Sequence, residues 1–412
     1  KGDWGFDGFI VSDWGSIEQM IPHGFARDGN HAAELAVIAG SDMDMESSLY
    51  VSELVGLVKS GKVNIELIDD AVRRILRVKY ELGLFDDPYK YCNIDRSNNE
   101  LASDENMKVA LEAAKKSIVL LKNNNQLLPL EKQGEKIAII GPLANDKNSP
   151  LGNWRSQAVY NSASSVLEGM KNYNQNKLVF EKGVDLYYGK TNFHNRVKLN
   201  FDDRTGFDKA KLAAENSDIV IMVLGEEGNQ SGEGRSRTNI GLPGLQLELL
   251  KEIYKINQNI VLVVMSGRPL DLTWADKNIP AIIQAWHLGS KSGEAIAEVL
   301  YGDYNPSGKL TMSFPRNVGQ VPIYYNFKNT GRPSTSIEQV TNSGYADVVN
   351  SPLYSFGYGL SYTNFKYSNL SIDNDKLDYN SKINISIDIE NIGFYTGKEV
   401  VQLYLRDVVG SI

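Results

Sequence analysis

The sequence predicts a multidomain α/β chain that ends in a short antiparallel β segment. Three observations carry that expectation. Short β-branched runs, mostly without polar alternation, are separated by helix-like stretches over most of the chain, as in sheets covered on both faces. After about residue 350 the pattern changes to apolar-polar alternation, which suits a sheet with one wet face. The 412 residues, 42% apolar and 23% charged, are enough for two or three domains and exclude a disordered tail, a coiled coil or a small stapled scaffold.

The elements follow in order. Phe9-Ile10-Val11 is too short for a helix and reads as a buried strand ending in Ser12-Asp13-Trp14. A helix-like stretch covers about 30–39, and Ser41 to Met45 reads as a second strand end. Asn64 is a fitting N-cap for a helix with Ile68, Val72, Ile75, Leu76 and Leu82 on one face and Gly83 as its stop. The segment from 1 to about 95 is therefore β-α-β-α. A capped helix from Ser103 to Lys116 then leads into a second series of strands at 118–121, 136–140, 218–224, 260–264 and 281–283, with helices starting near Pro243 and Ser292. Alternation at Asn384 to Glu390 and at Val400 to Leu405 predicts antiparallel strands, with Asn391-Ile392-Gly393 as a turn between.

The charge balance, 43 Lys and Arg against 51 Asp and Glu, leaves −8 and offers no field for nucleic acid or an anionic membrane. No window approaches the ~18 consecutive apolar residues of a membrane span. The one cysteine, Cys92, cannot close an internal disulfide and reads as a buried, inert thiol. His23, His31, His194 and His287 show no metal-ligand spacing, so neither a metal nor another cofactor is expected. His287, after Trp286 at a strand end, reads as structural. No G-x-S-x-G elbow is present.

Two segments could carry chemistry. Asp13 follows a strand, where α/β folds place reactive groups, and Trp14 beside it offers an apolar wall for a sugar face. Asp13 could equally cap the next helix. The second segment runs from Gly225 to Thr238, with Glu226, Glu227 and Glu233 among glycines and with Arg235 and Arg237 nearby. Its glycine spacing and acidity argue against a phosphate loop. It is either a solvated surface loop or a carrier for one carboxylate aimed into a cleft. Two carboxylates on separate segments are what a retaining glycosidase needs, at a separation of about 5–5.5 Å. The acid of such a pair keeps its proton through partial burial or a neighbouring negative charge, for which Glu226, Glu227 and Asp13 are the available sources.

At this point the residues resemble a known family. Gly5-Phe6-Asp7-Gly8-Phe9-Ile10-Val11-Ser12-Asp13-Trp14 looks like the nucleophile strand of glycoside hydrolase family 3, and Ala39 to Met45 looks like its last barrel strand. Lys116 to Asn123, Leu242 to Gln246, Tyr301 to Leu310 and Phe356 to Tyr362 are similar to later segments of the family, in the right order.

The resemblance implies the C-terminal part of a (β/α)₈-type barrel at 1–95, an α/β sandwich with its linker at 96–335 and a partial fibronectin type III-like β-sandwich at 336–412. It further implies Asp13 as nucleophile, Glu233 as acid/base and Trp14 at the glucose subsite, and it implies that Glu233 is chosen over Glu226 and Glu227. The activity implied is that of a retaining exo-β-glucosidase acting on β-glucoside oligosaccharides or aryl glucosides, in the periplasm or secreted. A β-xylosidase is the alternative within enzymes; an N-acetylglucosaminidase fits less well, because such relatives usually lack the domain that carries Glu233. A non-catalytic sugar-binding relic is the alternative outside enzymes. A full barrel runs to about 250 residues, and the chain begins at Lys1 without Met and stops at Ile412. A piece of a longer protein is therefore expected, unstable or inactive alone.

Overall fold

The computed structural model describes residues 1–409 apart from 156, 157, 174, 335 and 377, so Ile412 lies outside the described residues. The chain forms two compact units, Lys1–Leu101 and Ala102–Ile412.

The first unit holds helices α1 (Ser16–Gln19), α2 (Gly29–Ile38), α3 (Leu49–Lys59), α4 (Ile65–Glu81) and α5 (Ile94–Glu100). Helix α2 starts where the Asp28 carboxylate accepts the His31 N–H at 2.8 Å. Its small residues let neighbours approach closely: Ala32 and Ala36 meet Ile17 and Ala26, while Ala33 and Val37 meet Leu57 and Val63. Helix α4 is capped as expected, with Asn64 accepting the Glu66 N–H at 3.0 Å, and it stops before Gly83 at φ +71°. Its apolar face is less covered than the sequence predicts, since Val72, Leu76 and Leu82 are all exposed.

Two expectations for this unit need correcting. Phe9-Ile10-Val11 is not a buried strand: a single parallel bridge joins Val11 to Met43, and Ile10 and Val11 are exposed. A parallel strand gains burial on both faces from flanking elements, and among the described residues of this unit no third strand flanks the pair. Cys92 is exposed, not buried, because it lies in the irregular stretch between α4 and α5.

The second unit is a doubly covered α/β domain, as predicted. Among its described residues, β1 (Val119–Asn123), β2 (Lys136–Ile140), β3 (Lys177–Glu181), β4 (Ile219–Gly225), β5 (Ile260–Met265) and β6 (Ala281–Gln284) form one sheet in the order β1-β6-β5-β4-β2-β3. All pairings are parallel except β1 with β6. Helices α6 (Asp104–Ser117), α7 (Val166–Lys171) and α11 (Ser292–Leu300) cover one face; α8 (Phe207–Glu215), α9 (Gln246–Tyr254) and α10 (Thr273–Asn278) cover the other. The period-2 geometry of a strand divides β4 between them. Ile219, Ile221 and Val223 enter the core with α7 and α11, while Val220, Met222 and Leu224 enter the core with α8 and α9.

Beyond the sheet, Tyr358 donates its hydroxyl to the Leu121 carbonyl at 3.0 Å and Tyr362 to that of Val299 at 2.8 Å, tying the 356–362 segment to the domain. Strands β7 (Phe365–Ile372) and β8 (Ile385–Asn391) then pair antiparallel. The strand expected at Val400 to Leu405 is not formed. Val400, Val401, Leu403 and Leu405 are exposed there, and the segment makes side-chain contacts without a ladder partner.

Candidate active site

Asp13 stands on a short segment laced to its neighbour by main-chain bonds. Ser12 N–H donates to the Met43 carbonyl and Gly15 N–H to that of Met45, each at 2.9 Å, while the Ser12 hydroxyl accepts the Met45 N–H at 2.9 Å. Below them the buried Asp42 carboxylate accepts the Ile10 N–H at 2.8 Å and the Lys1 ammonium at 2.5 Å. Asp13 itself is exposed, and among the described residues its carboxylate accepts the N–H of Trp14 alone, at 2.7 Å. It does not cap α1, whose cap position is Gly15 with no side-chain bond. Trp14 projects beside it, 65% exposed.

The glutamate loop lies in the second unit, at the place where sheet topology favours a ligand crevice. From β2 the chain crosses to β3 on one side, and from β4 to β5 on the other, so the carboxyl ends of β2 and β4 form the switch point. Gly225 ends β4 at φ +144°, and a Cβ there would sit 1.8 Å from the Met265 carbonyl oxygen. The chain can turn out of the sheet at this position only as glycine.

The three carboxylates of the loop part company at once. Glu226 is fully buried, with Arg237 Nη1 at 2.7 Å and Arg268 Nε at 3.0 Å from its Oε1. Glu227 is buried too, accepting bonds from the Thr191 hydroxyl (2.9 Å), the Asn229 N–H (2.7 Å) and the Asn229 amide (3.0 Å). Glu233 is exposed and has no hydrogen bond or ion pair among the described residues. It occupies the second position of a tight turn closed by the Arg235 N–H on the Gly232 carbonyl at 3.2 Å. Gly234 at φ +66° holds the third position, where a type II turn demands positive φ. Gly232 has φ +111°, and a Cβ on it would lie 2.4 Å from Asn153 Oδ1.

These positions correct one electrostatic expectation. Glu226 does not supply free negative charge to its surroundings, because two guanidinium groups balance it. Burial pushes the Glu227 carboxyl up from the usual Glu range, against the bonds it accepts, so its charge is disfavoured as well. His287 lies behind the same loop, near Gly152 and Gly267. Its Nε2 is sealed from solvent with no partner among the described residues, and burial pushes the imidazole below its usual range.

Sequence patterns did not single out three further residues at this crevice. Asn153 is 8% exposed, yet both ends of its amide lack a partner among the described residues. Trp154 and Phe193 meet edge to face, with centroids 6.3 Å apart. With Arg155, His194 and Asn229 they line a cavity of about 360 Å³. Phe193 comes from the irregular 185–200 stretch, which carries no periodicity, and Trp154 follows a short turn at Ser149–Leu151 that no sequence pattern marks. Among the described residues no group of His, Cys, Asp and Glu is placed to hold a metal ion.

Comparison with known proteins agrees over both units. Residues 1–78 match the glycosyl hydrolase family 3 N-terminal domain and residues 118–362 the glycosyl hydrolase family 3 C-terminal domain. The chain is 41% identical to a periplasmic beta-glucosidase of Salmonella typhimurium, over all of this chain and 55% of that protein. It is 38% identical to a beta-xylosidase of Formosa agariphila, over all of this chain and 56% of that protein. The crystal structure of a Listeria innocua beta-glucosidase in complex with isofagomine superposes with a TM-score of 0.89 at 36% identity, covering all of this chain and 55% of that one. The complex of a Listeria innocua beta-glucosidase with glucose gives 0.88 at 35% identity, covering all of this chain and 54% of that one. The chain thus spans about half the length of the curated relatives it matches.

Proposed function

The chain belongs to glycosyl hydrolase family 3, and from that premise we propose that it carries the two reacting carboxylates of a retaining exo-β-glucosidase. The observation that carries the proposal is the sorting of the loop carboxylates. Glu226 and Glu227 are internal and engaged, whereas Glu233 is presented outward on a glycine turn at the sheet's switch point.

Asp13 attacks the anomeric carbon of a terminal β-glucosyl unit as the glycosidic C–O bond breaks, and Glu233 gives its proton to the departing oxygen. The glycosyl-Asp13 ester is then cleaved by water, whose proton returns to the Glu233 carboxylate, so the anomeric configuration is retained. Trp14 supports the glucose ring by its exposed face. The substrates are β-glucoside oligosaccharides or aryl glucosides, and the relatives named beta-glucosidases support this choice of sugar. The beta-xylosidase relative at 38% identity supports xylose as the second reading.

In the same reading, the first unit is the C-terminal part of a (β/α)₈-type barrel, and β7 with β8 begins a fibronectin type III-like sandwich. The site of action is the periplasm or outside the cell, as the name of the Salmonella relative suggests. No helix among the described residues is long and apolar enough to cross a membrane.

A 2-fluoro-glucoside with a good leaving group tests the mechanism in the whole protein. Peptide mapping is expected to find one added glycosyl group on the peptide containing Asp13; a label elsewhere, or none with turnover intact, overturns the assignment. Glu233→Ala is expected to lose about 10²–10⁴ in rate on glucosides with poor leaving groups, with partial recovery by azide or an activated leaving group. Unchanged rates would move the acid/base role to Glu226 or Glu227.

A further inference from the structure

Arg268 lies just past the end of β5, outside the glutamate loop in sequence, yet its guanidinium reaches into that loop at three points. Nε faces the Glu226 carboxylate, at 3.0 Å from Oε1 and 3.2 Å from Oε2. Nη2 donates to the Gln230 carbonyl and, at 2.8 Å, to the Arg235 carbonyl. Those two carbonyls stand three residues before and two residues after Glu233. One nitrogen therefore closes the arc that contains the outward carboxylate.

Charge balance does not require this arrangement. Arg237 already sits 2.7 Å from Glu226, so a second cation makes the buried cluster positive overall. Its Nη2 donates to two loop carbonyls and not to another acid. The base of Arg268 is fixed in turn: Ser266 donates its hydroxyl to the Arg268 carbonyl at 2.8 Å, and Gln284 of β6 donates to the Ser266 hydroxyl oxygen at 3.0 Å. The path runs from two core strands through one side chain to the backbone on either side of Glu233. Only a planar fork of five donors spans a carboxylate and two carbonyls at once; an ammonium keeps the charge and loses the geometry.

We propose that Arg268, oriented by Glu226, is a positioning residue that fixes the turn bearing Glu233 and so sets the aim of its carboxyl group. The inference rests on the reading of Glu233 as acid/base. Without the clasp, the polar arc regains backbone freedom, and the proton donor is present but poorly placed.

The test compares Arg268→Lys in the parent and in Glu233→Ala, using the whole protein and two aryl glucosides. With the glucoside that has a poor leaving group, Arg268→Lys is expected to lower kcat by about 10- to 100-fold. With the activated one, whose departure needs no proton, glycosylation is expected to change little. In Glu233→Ala, the lysine substitution is expected to add nothing. Equal losses on both glucosides, or a full further loss in Glu233→Ala, would show a merely structural role and overturn the proposal. Should Arg268→Lys fail to fold, Glu226→Gln is read by the same criteria. A Glu233→Ala variant without leaving-group dependence would instead sink the acid/base reading itself, so the two failures are told apart.

Discussion

The segment bearing Asp13 and the loop bearing Glu233 present the same chemical group by opposite means. Asp13 is held largely by the main chain: two main-chain bonds, and a third from the Met45 N–H to the Ser12 hydroxyl, each of 2.9 Å, join residues 12–15 to 43–45, with Asp42 beneath. Its surroundings are open, and Ile10 and Val11 are exposed. Glu233 lies beyond the carboxyl end of β4, a central strand that is fully buried, but no ladder supports its loop. Side chains hold it instead, with the fully buried Glu226 gripped by Arg237 and Arg268. Main-chain pairing fixes a position cheaply and tolerates exposure, because each bond contributes on its own. A buried charge cluster fixes a loop of any sequence, but its members stand or fall together.

The sharpest way to break that contrast is to remove the centre of the cluster. Glu226→Ala leaves two largely buried guanidinium groups facing each other, and a loss of about 3–5 kcal/mol is expected on the scale for a broken buried pair. Denaturant unfolding measures it; a loss below 1 kcal/mol would mean that the cluster relaxes like a surface pair. On the Asp13 side, Ser12→Ala removes one side-chain acceptor from the Met45 N–H and is expected to cost only about 1 kcal/mol.

A smaller effect concerns pH. Since burial raises the Glu227 carboxyl above its usual value of 4.5, the folded chain holds that proton more tightly than the unfolded chain. The associated stability is fully present below pH 4.5 and is lost as pH rises through the folded-state value. Glu227→Gln cannot titrate, so its melting temperature is expected to gain on that of the parent as pH rises above 4.5. A constant or opposite difference would show that the bonds from Thr191 and Asn229 hold Glu227 charged.

The sequence made the sheet legible where burial was complete. Strands β2, β4, β5 and β6 are runs of β-branched residues without polar interruption. Edge strand β3, Lys-Leu-Val-Phe-Glu, pairs with β2 alone, and its apolar run of three residues between charges is too short to stand out. The pair β7 and β8 shows a different limit. Phe365–Ile372 breaks its alternation at Ser368-Asn369, where the ladder register also shifts, whereas Val400 to Leu405 is almost wholly apolar and forms no strand. Periodicity reports a face that wants cover; it cannot name the partner that completes a ladder. At the candidate site, the loop and the Asp-Trp pair were visible from composition and position, but the choice among Glu226, Glu227 and Glu233 needed the resemblance. The inward turn at Gly225 that buries the first two is a backbone property. Arg268 was out of reach for another reason: it meets the loop only because β5 lies beside β4.

Cys92 gives this chain a practical handle. With one thiol in the whole sequence and that thiol exposed, a maleimide dye attaches at a single defined point without any prior removal of other cysteines. The label sits in the Asp13-bearing unit and not in the sheet domain. Fluorescence anisotropy from that dye during unfolding would follow the sparsely covered unit separately from the sheet domain.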